Sequence, residues 1–354
     1  MADKLKVGVV GCGGIFKFAH KDAWKNHPEA QIVALCDIVP EKAEAFKEEL
    51  GVSHISKDYR DLLKLDLDVI DICTPNLFHS EIAVAALNAG KHVLTEKPDA
   101  VSPAEAAKMV DAWKKTGKVL LSVRNNRFTA ATKFLKKFVD EGHAGDVYTG
   151  RCGWIRRRGI PGKGGWFTTK ELSGGGPLID LGVHMIDVAM WLMGSPKPVA
   201  VTGCTYRKFA DDDSADSIHS SFGEKKAGGT FDVEDLAIGF IRFENGASLQ
   251  IEFSWASNIE QENAFVELRG SKAGLQLSNG QVKVFSEVAG ALTDVAPKFT
   301  KHGGDHHPQV IAHFVDVVKG RAKPTLTPDQ GYHMIQILAA IYESAKTGRE
   351  VRLA

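Results

Sequence analysis

No apolar run in this chain approaches the roughly 20 residues that a membrane-spanning helix requires. An excess of either charge is also missing. Lys and Arg total 44 and Asp and Glu total 44 over 354 residues, so no net field draws the chain to nucleic acid or to a membrane. Cysteine is scarce: Cys12, Cys36, Cys73, Cys152 and Cys204 are odd in number, scattered and without CxxC spacing. Most of them sit in apolar, strand-like runs, where a thiol behaves as a small buried hydrophobe. A disulfide scaffold is therefore not expected, and a reducing cytoplasm fits better. The N-terminus enters a strand within about four residues, leaving no room for a signal peptide. No internal repeat is present. What remains is ordinary for a soluble enzyme, 44% hydrophobic and 25% charged, with a length that suggests about two domains.

Residues 1–127 alternate strand-like and helix-like segments. Leu5 to Val10 is an apolar run ending in glycines, and a helical stretch follows near Ile15 to Asn26. Gln31 to Cys36 reads as a buried strand, and Pro40 opens a helix, PEKAEAFKEEL, that Gly51 closes. Further strands are expected at Asp68 to Cys73, His92 to Thr95 and Val119 to Val123, with helices at Ser80 to Asn88 and Pro103 to Lys115 between them. Such alternation predicts a parallel sheet covered on both faces. In 128–354 the rhythm changes. After a helix at Ala131 to Glu141 come a strand near Val147 to Arg157 and one long helix at Pro177 to Met193. Several strands then follow, notably LAIGFIRF, ASLQIEFSW, NAFVELRG and GLQLSN, with short hairpin-like connections. Two helices, His307 to Lys319 and Asp329 to Lys346, close the chain and could pack back on the first domain. This half reads as an α+β domain on a large, mostly antiparallel open sheet. Phe209 to Glu234 is too long for an ordinary connection and is either disordered or functional.

Val7 to Gly14 reads VGVVGCGG, an apolar strand followed by glycines and a helix. Gly11 and Gly13 supply the first two glycines of a dinucleotide fingerprint, which allow a tight turn and let backbone approach a pyrophosphate at a helix N-terminus. Phe16 stands where the third small residue is expected. Asp37 ends the second strand, about 24 residues beyond Gly13, where a carboxylate accepts hydrogen bonds from the adenosine ribose. Ile38 follows, and no Arg or Lys stands there to receive a 2′-phosphate, which favours NAD over NADP. A plainer reading makes Asp37 a cap for the helix at Pro40. The segments Cys73-Thr74-Pro75-Asn76 and Glu96-Lys97-Pro98 end the third and fourth strands, the ends at which open α/β sheets bind ligands.

With these residues on the page the chain resembles the glucose–fructose oxidoreductase and inositol dehydrogenase (Gfo/Idh/MocA) family of NAD(P)-dependent enzymes. The matching elements are GVVGCGG, Asp37, TPN at Thr74 to Asn76 with His79, GKHVLTEKP at Gly90 to Pro98, and GGGPLIDLGVHMID at Gly174 to Asp187. The resemblance spans nearly the whole length. Departures are Phe16 and the segment VRNNRF at Val123 to Phe128. The resemblance implies a Rossmann dinucleotide-binding domain followed by the α+β substrate-binding and oligomerisation domain. It also implies a cofactor site comprising Gly11, Gly13, Gly14, Ile15, Asp37, Ile38, Thr74, Pro75, Asn76, His79, Glu96, Lys97 and Asn126. RRRGIP at Arg156 to Pro161, the triple glycine before Asp180, and VED at Val233 to Asp235 look most like members that oxidise pyranosides, some at C3.

The resemblance places Lys97, Asp180 and His184 at the catalytic centre, and their chemistry suits the task. Oxidising a secondary alcohol removes the hydroxyl proton while hydride leaves the same carbon. Asp180 and His184 are four apart on a predicted helix and share a face. A neutral His accepts a proton near physiological pH, and the Lys97 ammonium stabilises developing alkoxide charge. His184 is assigned as acid/base with Lys97 its electrostatic partner, and the two roles are exchangeable. Read without the resemblance, Lys97 is a solvated lysine and His184 a core histidine.

Arg156 and Arg158 are candidates to line the substrate cleft, with a solvated surface as the alternative. Trp166 is a candidate to stack on a sugar ring, with core packing as the competitor. His302, His306 and His307 with Asp305 have ligand-type side chains, but they lie in a glycine-rich loop without a clear further ligand, and no metal is expected. The expected activity is hydride transfer between nicotinamide and a secondary alcohol of a sugar, glycoside or inositol. Alternatives are an NAD-assisted glycosidase or lyase with internal redox cycling, and a non-catalytic sugar or nucleotide sensor. A homodimer or homotetramer is implied by the resemblance.

Overall fold

The computed structural model describes residues 4–211, 222–299 and 306–353. The described parts of Met1–Asn125 and Asp305–Ile335 form one compact unit, and those of Asn126–Gly304 and Gln336–Ala354 a second. The first boundary falls within two residues of the sequence-based division, whereas the segment up to Ile335 joins the N-terminal unit. Among the described residues, no helix is long and apolar enough to cross a membrane.

The first unit is built on six parallel strands, β1 (Leu5–Val10), β2 (Ala30–Cys36), β3 (His54–Ser56), β4 (Val69–Ile72), β5 (His92–Thr95) and β6 (Leu120–Ser122). Their order is β3-β2-β1-β4-β5-β6. All four residues of β4 are buried, as are Val7, Val9 and Val10 of β1, which explains the continuous apolar runs of these central strands. The order reverses between β1 and β4, the switch point at which doubly wound sheets bind nucleotides. The predicted helix after β1 begins as a π-helical turn, Phe16–His20, before the α-helix Lys21–Lys25. That wider turn turns Phe16 into the core, edge-on to Phe46 at 5.3 Å, so a large residue occupies the third glycine position without obstructing the strand. The PEKAEAFKEEL helix is interrupted, as Pro40–Glu44 and Lys47–Leu50, and ends on left-handed Gly51. The short strand β3 and the helix Tyr59–Leu63 were not expected.

The second unit holds a nine-stranded sheet. Its strands are β7 (Val147–Ile155), β8 (Pro198–Tyr206), β9 (Leu236–Phe243), β10 (Ser248–Ser254), β11 (Asn263–Gly270), β12 (Gly274–Ser278), β13 (Gln281–Val288), β14 (Ala291–Val295) and β15 (Val351–Arg352). The order is β14-β13-β12-β11-β7-β10-β9-β8-β15, antiparallel except where β7 runs parallel to β10. Beneath it packs the helix Val183–Leu192, almost wholly buried, which continues a π-helical turn at Leu178–Gly182. The single long helix expected at Pro177 to Met193 is thus two windings in series. Ten residues of the long Phe209 to Glu234 connection that the sequence marked, 212–221, lie outside the described residues.

Candidate active site

The glycine turn after β1 is shaped by close approach. Gly11 has φ +96°, and a Cβ there would stand 2.6 Å from the carbonyl oxygen of Cys73 at the end of β4. A Cβ on Gly13 would meet nothing within 4 Å, so this backbone faces open space. Gly14 is exposed and Ile15 partly so. The Asp37 carboxylate holds the turn: Oδ2 accepts from the Cys12 amide at 2.8 Å and Oδ1 from the Val39 amide at 2.9 Å. Asp37 thus braces both the glycine turn and the approach to the Pro40 helix, whose N-cap residue is Val39. Two oxygens offer about four lone-pair sites, which leaves acceptor capacity for ribose hydroxyls. Ile38 beside it is 83% exposed, an open apolar face at the mouth of the turn.

At the ends of β4 and β5, His79 ties two of the predicted segments together. It is fully buried, with Nδ1 2.7 Å from the Pro98 carbonyl oxygen and Nε2 2.9 Å from that of Thr74. Burial pushes its pKa down, against the pull of the two carbonyls. Pro75 leads into a short turn, Asn76–Phe78, in which Asn76 is buried. Thr74 Oγ1 and Asn125 Oδ1 are buried without a hydrogen-bond partner among the described residues. A buried polar atom left unmade is costly, so such atoms mark where a bound polar group would complete the structure. Open space at Gly13, the Asp37 acceptor and the waiting Thr74 hydroxyl together fit a dinucleotide. Glu96 is buried, with Oε1 2.9 Å from His20 Nε2 and Oε2 accepting the Lys97 amide at 3.1 Å. Lys97 itself is partly exposed.

In the second unit, Asp180 and His184 stand out by exposure. From Gly175 to Met190 every residue is buried except these two. His184 is only partly exposed, and its Nδ1 atom is buried. Trp255 Nε1 donates to Asp180 Oδ2 at 3.0 Å, and the Trp154 ring lies 6.2 Å from that of His184. The segment is anchored from behind by Glu234, which sequence reasoning singled out without a role. Its carboxylate accepts from the amides of Gly176 at 3.0 Å and Leu178 at 3.1 Å, and from the Tyr342 hydroxyl at 2.8 Å. Burial pushes the Glu234 pKa up, opposed by these donors. The triple glycine follows from this packing. A Cβ on Gly175 would fall 2.0 Å from the Tyr342 hydroxyl, and one on Gly176 2.0 Å from the Glu234 carbonyl oxygen. Gly174 is left-handed at φ +82°.

The remaining candidates are placed unequally. The three arginines lie just beyond the end of β7, not on it. Arg156 stacks over Trp154 at 4.9 Å and is partly exposed. Arg158 is spent internally, donating to Arg157 O, Ser257 O and Asn258 Oδ1 and covering Phe209 at 5.0 Å. Trp166 is partly exposed, with its ring stacked 3.8 Å from that of Phe167. Asn126 lies in the turn Asn125–Phe128, its carbonyl accepting from Thr132 Oγ1 at 2.6 Å. His302 and Asp305 lie outside the described residues.

Comparison with known proteins agrees with this geometry. Residues 5–124 match the oxidoreductase family with an NAD-binding Rossmann fold, and residues 136–353 match that family's C-terminal α/β domain. The chain belongs to the Gfo/Idh/MocA family. It is 35% identical to D-glucoside 3-dehydrogenase of Escherichia coli K12, over 99% of this chain and 97% of that one. Levoglucosan dehydrogenase of Pseudarthrobacter phenanthrenivorans is 30% identical over 77% of this chain and 73% of its own. A solved levoglucosan dehydrogenase in complex with NADH superposes with a TM-score of 0.85 at 25% identity, covering 99% of this chain and 100% of that one. Residues 5–124 of this family member are accordingly its NAD-binding domain.

Proposed function

We propose that this family member oxidises a secondary hydroxyl of a pyranoside, with C3 of a glucoside the favoured position, and delivers hydride to NAD. The observation that carries this reading is the near full-length similarity to a D-glucoside 3-dehydrogenase, joined to a partly exposed Asp180 and His184 on an otherwise buried helix. Bound NAD would supply the hydride acceptor, held by Gly11, Gly13, Asp37 and Thr74. His184 takes the hydroxyl proton, Lys97 donates to the same oxygen as negative charge develops, and Asp180 accepts from a neighbouring hydroxyl. The Trp255 indole fixes Asp180 for that task. Arg156 and Trp166, both partly exposed, are the further candidates for sugar contacts, with Arg158 acting as a brace.

The protein is further proposed to act in the cytoplasm as a homodimer or homotetramer. The outer face of the nine-stranded sheet supports this, with a shallow groove lined by Cys204, Ile238, Phe240 and Phe265. Light scattering on the purified protein checks this reading, and a monomer at micromolar concentration rejects it.

The test of activity is NADH formation across hexoses, inositols and glucosides, with product position read by NMR. A 3-keto glycoside with stoichiometric NADH supports the reading. Glycoside cleavage without net NADH points instead to internal redox cycling, and binding without turnover points to a sensor.

A further inference from the structure

Behind the end of β5 lies a buried cluster that the hydride-transfer reading does not use. Nε2 of His20 is 2.9 Å from Oε1 of Glu96, and Nε2 of His307 is 3.5 Å from the same oxygen. The three ligand atoms all lie within 4.8 Å of one another. Zinc-type ions bind such atoms at about 2.0–2.1 Å in tetrahedral geometry, which sets neighbouring ligands roughly 3.3 Å apart. The two pairs that involve Glu96 are near that spacing and the two histidine nitrogens lie within 4.8 Å, so side-chain movements that draw the histidines together would centre the cluster on an ion.

The surroundings are those of an ion site. His20 Nδ1 lies 2.8 Å from Asp71 Oδ2, which in turn accepts from Trp24 Nε1 at 2.8 Å. A carboxylate behind a histidine fixes the ring and turns its other nitrogen outward, the usual outer support of a metal-bound imidazole. Charge makes the same point. Asp71 and Glu96 are both buried, and two carboxylates withdrawn from water require compensating positive charge. Protons on His20 and His307 would offset the two charges, and a single divalent cation would do the same. His307 opens the helix His307–Val318 with its side chain 12% exposed, so the cluster has an edge toward solvent.

We propose that His20, Glu96 and His307 bind one divalent transition-metal ion of the zinc class, with Asp71 as the orienting carboxylate. Three protein ligands leave a fourth position for water. Because Glu96 Oε2 still holds the Lys97 amide, the ion would pin the strand end that carries Lys97. The site supplies the further ligands that the histidine-rich loop lacks in sequence, drawn from residues 20 and 96. It does not depend on which substrate the enzyme takes.

The test uses the full-length chain stripped with a chelator and titrated with Co²⁺ alone, then with Zn²⁺ in competition. The expected result is one Co²⁺ per chain, with the intense visible absorption of a four-coordinate ion, displaced by Zn²⁺. His307→Ala and His307→Gln should lose that absorption, and Asp71→Asn should weaken binding by about 10–100-fold. Reading both His307 variants, each checked for a wild-type near-UV spectrum, separates a lost ligand from a folding defect. Failure of the wild-type chain to bind Co²⁺ stoichiometrically overturns the proposal, as does unchanged affinity in the folded His307 variants.

Discussion

Asp37 Oδ2 accepts the Cys12 amide at 2.8 Å, so the acid at the end of β2 holds the glycine turn at the end of β1. On the proposed function one side chain does two jobs: it fixes the glycine turn, and it presents a negative charge toward the ribose 2′ position of bound NAD. Asp37→Ala should raise the Kd for NAD by roughly 10–100-fold, the scale of a charge-assisted hydrogen bond. It should also narrow the preference over NADP, because the repulsion of a 2′-phosphate goes with the carboxylate. Titration of both cofactors by fluorescence checks this, and an unchanged ratio of the two Kd values refutes the second half.

Lys97→Ala and His184→Ala should each lower turnover by at least ~100-fold, the scale of a general acid or base, while NAD still binds. Single-turnover kinetics with a glucoside, beside NAD titration, separates chemistry from binding. Turnover near that of the wild type in both variants removes these residues from the mechanism.

Much of this was legible beforehand because it is local. A buried strand announces itself by continuous apolar residues, and Gly51 and Gly117 end their helices on left-handed backbone as glycines do. The Asp180 and His184 pair came from the family resemblance, and its spacing showed only that the two share a helix face. What the sequence could not show is pairing between distant segments. Glu234 meets Tyr342 and Gly176, and His20 meets Glu96 and Asp71, across separations that no local pattern encodes. The π-helical turns at Phe16 and Leu178 were hidden for another reason: each is a single five-residue turn running into an α-helix, too short to set a period of its own. The contacts of Arg158, a candidate for the substrate cleft, are likewise with distant segments, at the Ser257 carbonyl and Asn258 Oδ1.

The VRNNRF segment also proves structural in part. Arg127 forks onto Asp187 through Nε and Nη2, both at 2.7 Å, and its guanidinium lies 5.3 Å from the Trp191 ring centre. Both side chains are almost fully buried. Removing one partner leaves an uncompensated buried charge, so Arg127→Met should cost about 3–5 kcal/mol of stability. Replacing both, in Arg127→Met with Asp187→Leu, should cost clearly less than the single change. Urea unfolding of the three chains decides it, and equal losses in the single and double variants would mean that packing, not charge, governs the site.

Glu234 gives the pH prediction. Burial raises its folded pKa above the ordinary value of 4.5, while in the unfolded chain the group returns to that value. Between the two values the folded state holds a proton that the unfolded state has released. The stability this contributes is complete below the unfolded pKa and is lost as pH rises through the folded one. Glu234→Gln cannot titrate, so it should lack this slope. Its own penalty is constant with pH, because an amide oxygen can replace only one of the two carboxylate oxygens that receive the Gly176 and Leu178 amides. The stability gap between wild type and variant should therefore be widest at low pH and shrink as pH rises from about 4 toward 8. Paired urea titrations across that range read it directly, and a gap that stays flat or widens would show that Glu234 is ionised in the folded protein throughout.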